Sequence, residues 1–276
     1  MSAEPVTPAG VPADRLRPLA ALPAAALRGI RGVLTDIDDT LTRDGAIEPA
    51  ALDALQALAA AGLPVIAITG RPAGWSEPFA LQWPVRAIVA ENGGVLLRRG
   101  ADGGLQRLFT TDEATRAAQF ARLQACARAV LAEVPAATLA EDSPGRLTDI
   151  AIDHSEHRHL DAAAIAQVVA VMRRHGLTAT VSSIHVNGWI GDHSKWTAAN
   201  WAVQAVLGQA FDPAGWAFIG DSTNDQLMFE RMPLTVGVAN IARFVPQLKA
   251  WPAWLCRGER GAGFAELAAA LLVARG

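Results

Sequence analysis

Short, continuously apolar runs of β character, each ending in a polar cluster and separated by helical stretches, constrain this chain more than any other feature. Gly32–Ile37, Val65–Ile68, Ala87–Val89, Ala217–Ile219 and Thr235–Val238 read as strands, and Pro49–Ala61, Lys195–Leu207, Asn224–Arg231 and Gly263–Ala274 as helices. Strands without polar alternation are buried on both faces, which requires helices above and below a largely parallel sheet. The fold class expected is therefore α/β, a Rossmann-like and mostly parallel sheet, and such sheets bind ligands at the carboxyl ends of their strands.

The middle of the chain follows another pattern. Leu105–Thr110 folds back on Val95–Arg98 as a hairpin through Gly100, Gly103 and Gly104. There follow a helix Asp112–Glu133, a short run Ala137–Leu139, a strand Leu147–Asp153, a helix Asp161–His175, and strands Thr178–Ser182 and Ile184–Ile190. Helix, strand, strand, repeated once, describes an α+β module inserted into the α/β core. We draw the module at residues 111–190 and the core at 30–110 and 191–276. Residues 1–29 carry Pro5, Pro8, Pro12, Pro18 and Pro23 among alanines and read as a loosely ordered tail with a short helix near Ala24–Leu27.

Composition narrows the function classes. Of 276 residues, 51% are hydrophobic and 18% charged, which excludes a disordered polyelectrolyte. A formal charge of -3 offers no basic field for a phosphate backbone, so no nucleic-acid partner is expected. No apolar run reaches membrane-spanning length, so no membrane partner is expected either. The N-terminus carries acid and proline where a secretory leader needs a basic start. Cys126 and Cys256 fit neither a disulfide framework nor a metal knuckle, which points to the reducing cytoplasm. The eight tryptophans are scattered over different elements and read as packing. Oligomeric state is left open.

Four polar clusters carry chemistry. In Asp36-Ile37-Asp38-Asp39-Thr40-Leu41, an extended chain would turn Asp36 and Asp38 toward one crevice. Two close carboxylates repel, and holding them together requires a cation or a shared proton. Thr69-Gly70-Arg71-Pro72 offers a hydroxyl and backbone N–H groups to a phosphoryl oxygen. Asp192-His193-Ser194-Lys195 opens a helix with a lysine set against the dipole. Gly220-Asp221-Ser222-Thr223-Asn224-Asp225 supplies two carboxylates and an amide, an oxygen density suited to Mg²⁺. Each cluster alone equals an ordinary turn or cap. In a parallel sheet all four would gather at one edge.

As an ordered set, and together with Glu91-Asn92-Gly93-Gly94, these motifs resemble the haloacid dehalogenase superfamily, most nearly its Cof-type group, over about residues 31 to 276. The resemblance implies a core with an αββαββ cap of the second type and a Mg²⁺-dependent phosphatase acting on a small phosphorylated metabolite such as a sugar phosphate. It implies that Asp36 is the nucleophile, that Asp38 is the acid and then the base, and that Thr69 and Lys195 hold the phosphoryl oxygens. Mg²⁺ would sit on Asp36, the Asp38 carbonyl and Asp221, supported by Asn224 and Asp225. Superfamily dehalogenases lack an acid at the position of Asp38, so its presence favours a phosphate ester. A phosphomutase of the phosphomannomutase kind is the alternative, and a non-catalytic phospholigand-binding module a third reading, opposed by the presence of Asp36.

Leaving-group contacts are sought on the inserted module. Period-2 alternation puts Ile184 and Val186 on a packed face and His185 and Asn187 on an open one, and Asp149 and Asp153 share an open side. Gly70, Arg71 and Asn92 follow core strands and join this substrate-binding set, with Arg43 and Arg146 as further candidates. The tract His154 to His159 is read as a solvated loop rather than a metal site.

Overall fold

A computed structural model describes residues 16–276. The proline-rich residues before 16 lie outside the described residues, but the rest of the expected tail is ordered. Arg17–Pro18 adds an edge strand parallel to Trp254–Leu255, Ala24–Leu27 forms a helix, and Leu16, Leu19 and Leu27 are buried. Three leucines supply the apolar area that the alanines and prolines lack, and proline is tolerated on an edge strand.

The chain forms two compact units. The first takes residues up to Ile68 with Trp83–Arg86 and Ala199–Gly276, and the second takes Thr69–Gln82 with Ala87–Ala198. In the first, parallel strands run in the order Arg17–Pro18, Trp254–Leu255, Leu234–Gly237, Trp216–Gly220, Gly32–Thr35 and Val65–Ile68. Every residue of the four longer strands is buried, as their unbroken apolar character requires. Helices Pro49–Ala60 and Arg260–Val273 pack on each other, and Ala51, Leu55, Phe264 and Leu267 on them are buried. The sheet is the Rossmann-like core that the apolar runs predict.

In the second unit, Ala87–Ala90, Val95–Arg99 and Leu105–Phe109 form an antiparallel ladder. A separate antiparallel sheet runs Thr178–Val181, His185–Trp189, Asp149–Asp153, Thr138–Leu139. Helices Glu113–Glu133 and Ala162–Arg174 cover one face of that sheet, where Leu123, Val130, Val168 and Met172 pack on Ile150, Ile152 and Val186. Asp112 and Asp161 start the two helices by accepting from Thr115 N at 2.9 Å and Ala164 N at 2.8 Å. The module drawn at 111–190 lies inside this unit.

Two elements depart from the sequence reading. Ala73–Gln82 is a helix despite Pro72 before it and Pro78 within it. Its entry is held by the Glu91 carboxylate, which accepts from Ala73 N at 2.9 Å. The first strand ends at Thr35 because Ile37 O accepts from Thr40, Leu41 and Thr42 N, turning the chain. The extended-chain argument for Asp36 and Asp38 therefore does not apply beyond the strand end. Both cysteines are free and buried, and burial pushes Cys126 up to about 11 and Cys256 well above its ordinary value. Among the described residues no helix is long and apolar enough to cross a membrane.

Candidate active site

The ends of two neighbouring strands of the first unit place the acids. Asp36 directly follows Gly32–Thr35, with its N–H donating to Ile219 O at 3.0 Å, and Asp221 directly follows Trp216–Gly220. Asp225 returns to the same loop: its Oδ2 accepts from Asp221 N at 3.0 Å and Ser222 N at 3.1 Å. Carboxylate oxygens of Asp36, Asp221 and Asp225 all lie within 4.8 Å of one another, and all three residues are buried. Burial, then the like charges of Asp36 and Asp225, push the Asp221 carboxyl well above its usual range, with Arg243 pulling the other way. Asp221 Oδ1 is buried with no hydrogen-bond donor. A donorless oxygen among three converging carboxylates is what a hard divalent cation requires. The residues present therefore fit Mg²⁺.

Asn224, from the expected metal set, accepts on its Oδ1 from the Ser222 hydroxyl at 2.9 Å and so braces the loop. Gly220 is fixed by space: a Cβ there would run into the Asp225 carboxylate. Gly220→Ala is expected to displace Asp225 and weaken Mg²⁺ binding about tenfold or more while the chain stays folded. A calorimetric Mg²⁺ titration showing unchanged affinity would overturn this assignment.

The remaining predicted residues belong to the second unit. Thr69 is buried, and its Oγ1 accepts from Arg71 N at 3.0 Å. Lys195 is 2% exposed and opens the helix Lys195–Leu207, the placement against the dipole that the sequence indicates. Asn92 has φ 54° and donates its N–H to Thr69 O at 2.9 Å. Arg43, by contrast, sits half-exposed in an ion pair with Glu48 in the first unit.

The face of the inserted sheet that was expected to be open is closed by a charged network. Val186 packs in the apolar core, as alternation predicts, but His185 and Asn187 are 1% exposed and Asp149 and Asp153 are buried too. Asp153 accepts from the backbone N–H groups of Ser155, Glu156, His157 and Arg158, so its charge goes to shaping a turn. Asp149 accepts from Arg146 at 2.8 Å and from Asn187 Nδ2 at 3.1 Å. Burial pushes the Asp149 carboxyl up to about 7, with Arg146 pulling it down and Glu91 adding to the rise. These acids are internal partners and not free ligand contacts. The expected loop after Asp153 is largely exposed, yet His154 is buried and bonded to Ser182 O at 3.0 Å.

The Thr-Gly-Arg loop is tied into this network. Arg71 pairs with Glu156 at 2.7 Å and Asp142 at 3.3 Å, while Gly70 O accepts from Arg146 at 3.0 Å and Asn187 Nδ2 at 3.2 Å. Asn92 Nδ2, Asn187 Oδ1 and Arg146 Nε are buried there without partners, and the first two each lie 3.2 Å from where a Gly70 Cβ would stand. Sequence reading missed Glu156, Asp142 and Glu91 as members of this network, because the bonds join residues far apart in the chain.

Glu156 also binds His185 Nε2 at 2.8 Å. Burial would raise its carboxyl, but His185 and Arg71 outweigh that and hold it at about 2, below its ordinary 4.5. The stability this carboxylate contributes is thus present above pH 4.5 and lost as pH falls toward 2. Glu156→Gln is expected to flatten the fall of the thermal midpoint between about pH 5 and 3; curves parallel to wild type would remove Glu156 from the network.

Residues 33–133 match the family described as haloacid dehalogenase-like hydrolase. No curated protein sequence matches the chain. Among solved structures, a HAD/COF-like hydrolase from Plasmodium vivax is similar with a TM-score of 0.63 and 17% identity, over 90% of this chain and 98% of that one. The sucrose-phosphatase of Synechocystis sp. PCC6803, solved with sucrose and phosphate, gives 0.62 and 17% over 88% and 98%. A HAD subclass IIB sugar phosphatase gives 0.60 and 13% over 88% and 97%. Residues 33–133 are thus similar in sequence to haloacid dehalogenase-like hydrolases, and the chain as a whole shares the fold of these solved structures.

Proposed function

We propose that this chain is a Mg²⁺-dependent phosphatase that hydrolyses a small phosphorylated metabolite, a sugar phosphate, through an aspartyl-phosphate on Asp36. The observation that carries the reading is the buried Asp36, Asp221 and Asp225 cluster with its donorless Asp221 Oδ1. Bound there, Mg²⁺ supplies the positive charge that lets a phosphate dianion approach carboxylates. An Asp36 oxygen attacks phosphorus and the P–O bond to the sugar breaks. Asp38 gives the departing oxygen a proton, then takes one from the water that hydrolyses the acyl phosphate, which returns both acids to their starting state. Thr69 and Lys195 are assigned the phosphoryl oxygens.

The substrate class follows the sugar phosphatases among the similar structures, the sucrose-phosphatase and the subclass IIB sugar phosphatase. Two buried free thiols accord with a reducing cytoplasm, where we place the protein.

The test is phosphate release from a panel of sugar phosphates, phosphoglycolate and nucleotides, with Mg²⁺ and with EDTA. Release from a sugar phosphate that EDTA abolishes is expected. Isomerised product without net phosphate, or no release from any monoester, would overturn the proposal.

A further inference from the structure

Asp39 stands where the backbone turns left-handed, with φ 56°, a conformation that Asp and Asn tolerate better than most residues. Its side chain accepts from two arginines: Arg260 Nε at 2.7 Å on Oδ1, and Arg243 Nη2 on Oδ2. The same Arg243 nitrogen lies 3.2 Å from Asp221 Oδ2, so one guanidinium is shared between the metal cluster and an acid outside it. Asn240 completes the arrangement, donating to Asp39 O at 2.9 Å and Asp221 Oδ2 at 3.3 Å and accepting from Arg260 N at 2.9 Å. Arg243 is 42% exposed along its side chain while Asp221 is fully buried. A long cation therefore reaches in from the rim toward a strongly negative cluster.

We propose that Asp39 is a positioning residue that limits Arg243 to its single bond on Asp221 Oδ2, keeping Asp221 Oδ1 available to the divalent cation. The inference rests on the metal-dependent reading above. A guanidinium is planar and pairs with a carboxylate through two parallel bonds where it can. Asp221, with Asp36 and Asp225 beside it, offers the deeper negative potential. What prevents Arg243 from closing on it is the competing carboxylate of Asp39. Without that competitor Arg243 would occupy Asp221 as an internal counter-ion, in the place the metal needs.

The test is calorimetric titration with Mg²⁺ alone, no substrate present, on the full chain. Asp39→Asn keeps the shape and the tolerance for positive φ, and is expected to bind Mg²⁺ at least about tenfold more weakly. Adding Arg243→Met should restore affinity to within about threefold of wild type, because the competitor is gone. Adding Arg260→Met to Asp39→Asn restores the same net charge without touching Asp221, and is expected to give no recovery. Recovery by both arginine changes alike would mean that charge alone governs the site, and would overturn the positioning role. So would wild-type affinity in Asp39→Asn, or weaker binding in Arg243→Met alone, which needs no change at the left-handed position. Circular dichroism confirms that each variant is folded. Absence of any Mg²⁺ binding by the wild-type chain would overturn the metal-dependent reading itself, a result distinct from binding that ignores Asp39.

Discussion

Asp36→Asn is expected to lower phosphate release by at least about a thousandfold, since an amide is not a nucleophile toward phosphorus and the acyl phosphate is assigned to Asp36. The change is nearly isosteric, and Asp36 is 3% exposed, so packing survives. A second readout separates lost chemistry from lost structure. Asp36 is one of the like charges raising the Asp221 carboxyl, and its neutralisation relieves that repulsion. The thermal midpoint measured in EDTA is therefore expected to hold or rise. Turnover at the wild-type rate would refute the assigned nucleophile, and a variant that melts well below wild type would show that Asp36 is needed for the fold.

The second large effect is on stability. Arg146 is 4% exposed and serves Asp149, Asp142 and Gly70 O together. Arg146→Met removes the main cation beside Asp149 in a fully buried place, and breaking such a pair costs about 3–5 kcal/mol. Asp142 keeps Arg71 and Gly70 O keeps Asn187, so the uncompensated partner is Asp149. The loss depends on pH. The folded Asp149 carboxyl, already at about 7, binds a proton more readily than an unfolded aspartate, so its penalty is absent at low pH and complete above about 7. Removing Arg146 pushes that carboxyl further up. Urea unfolding should therefore show a loss that is larger at pH 8 than at pH 5 by about 1 kcal/mol. Equal losses at both pH values, or less than about 1 kcal/mol at pH 8, would contradict the account.

What was legible in the sequence divides along physical lines. Strand positions and the acids that follow them are local properties: a continuous apolar run declares a two-sided burial, and the residue after it stands at the sheet edge. Asp36, Asp221 and Asp225 were found that way, and their convergence follows from strand adjacency. Asn240 carries a similar signal, three residues past the strand Leu234–Gly237, and could have been found by the same rule. Arg243 and Arg260 could not, because a long side chain reaches several ångströms from its own backbone. The inserted sheet shows the converse limit. Alternation placed Val186 in the core, whereas Ile184 is half-buried ahead of the strand His185–Trp189, and polarity did not mean exposure. Arg71, Arg146, Asp142, Asp149 and Glu156 pair with one another, and only the pairing geometry reveals it. The helix Ala73–Gln82 escaped notice because Pro72 and Pro78 argue against it locally, whereas its first N–H is held by Glu91 from elsewhere in the chain.

The two buried cysteines have a practical use. With thiols this inaccessible and this reluctant to ionise, wild-type protein should take up almost no maleimide under native conditions. The chain is thus a nearly silent background for site-directed labelling. One exposed position in each unit, such as Gln56 in the first and Arg128 in the second, could be changed to cysteine and given a spin label or dye without first removing the native pair. Distances between the labels, followed with and without Mg²⁺ and a sugar phosphate, would then report how the two units respond to ligand.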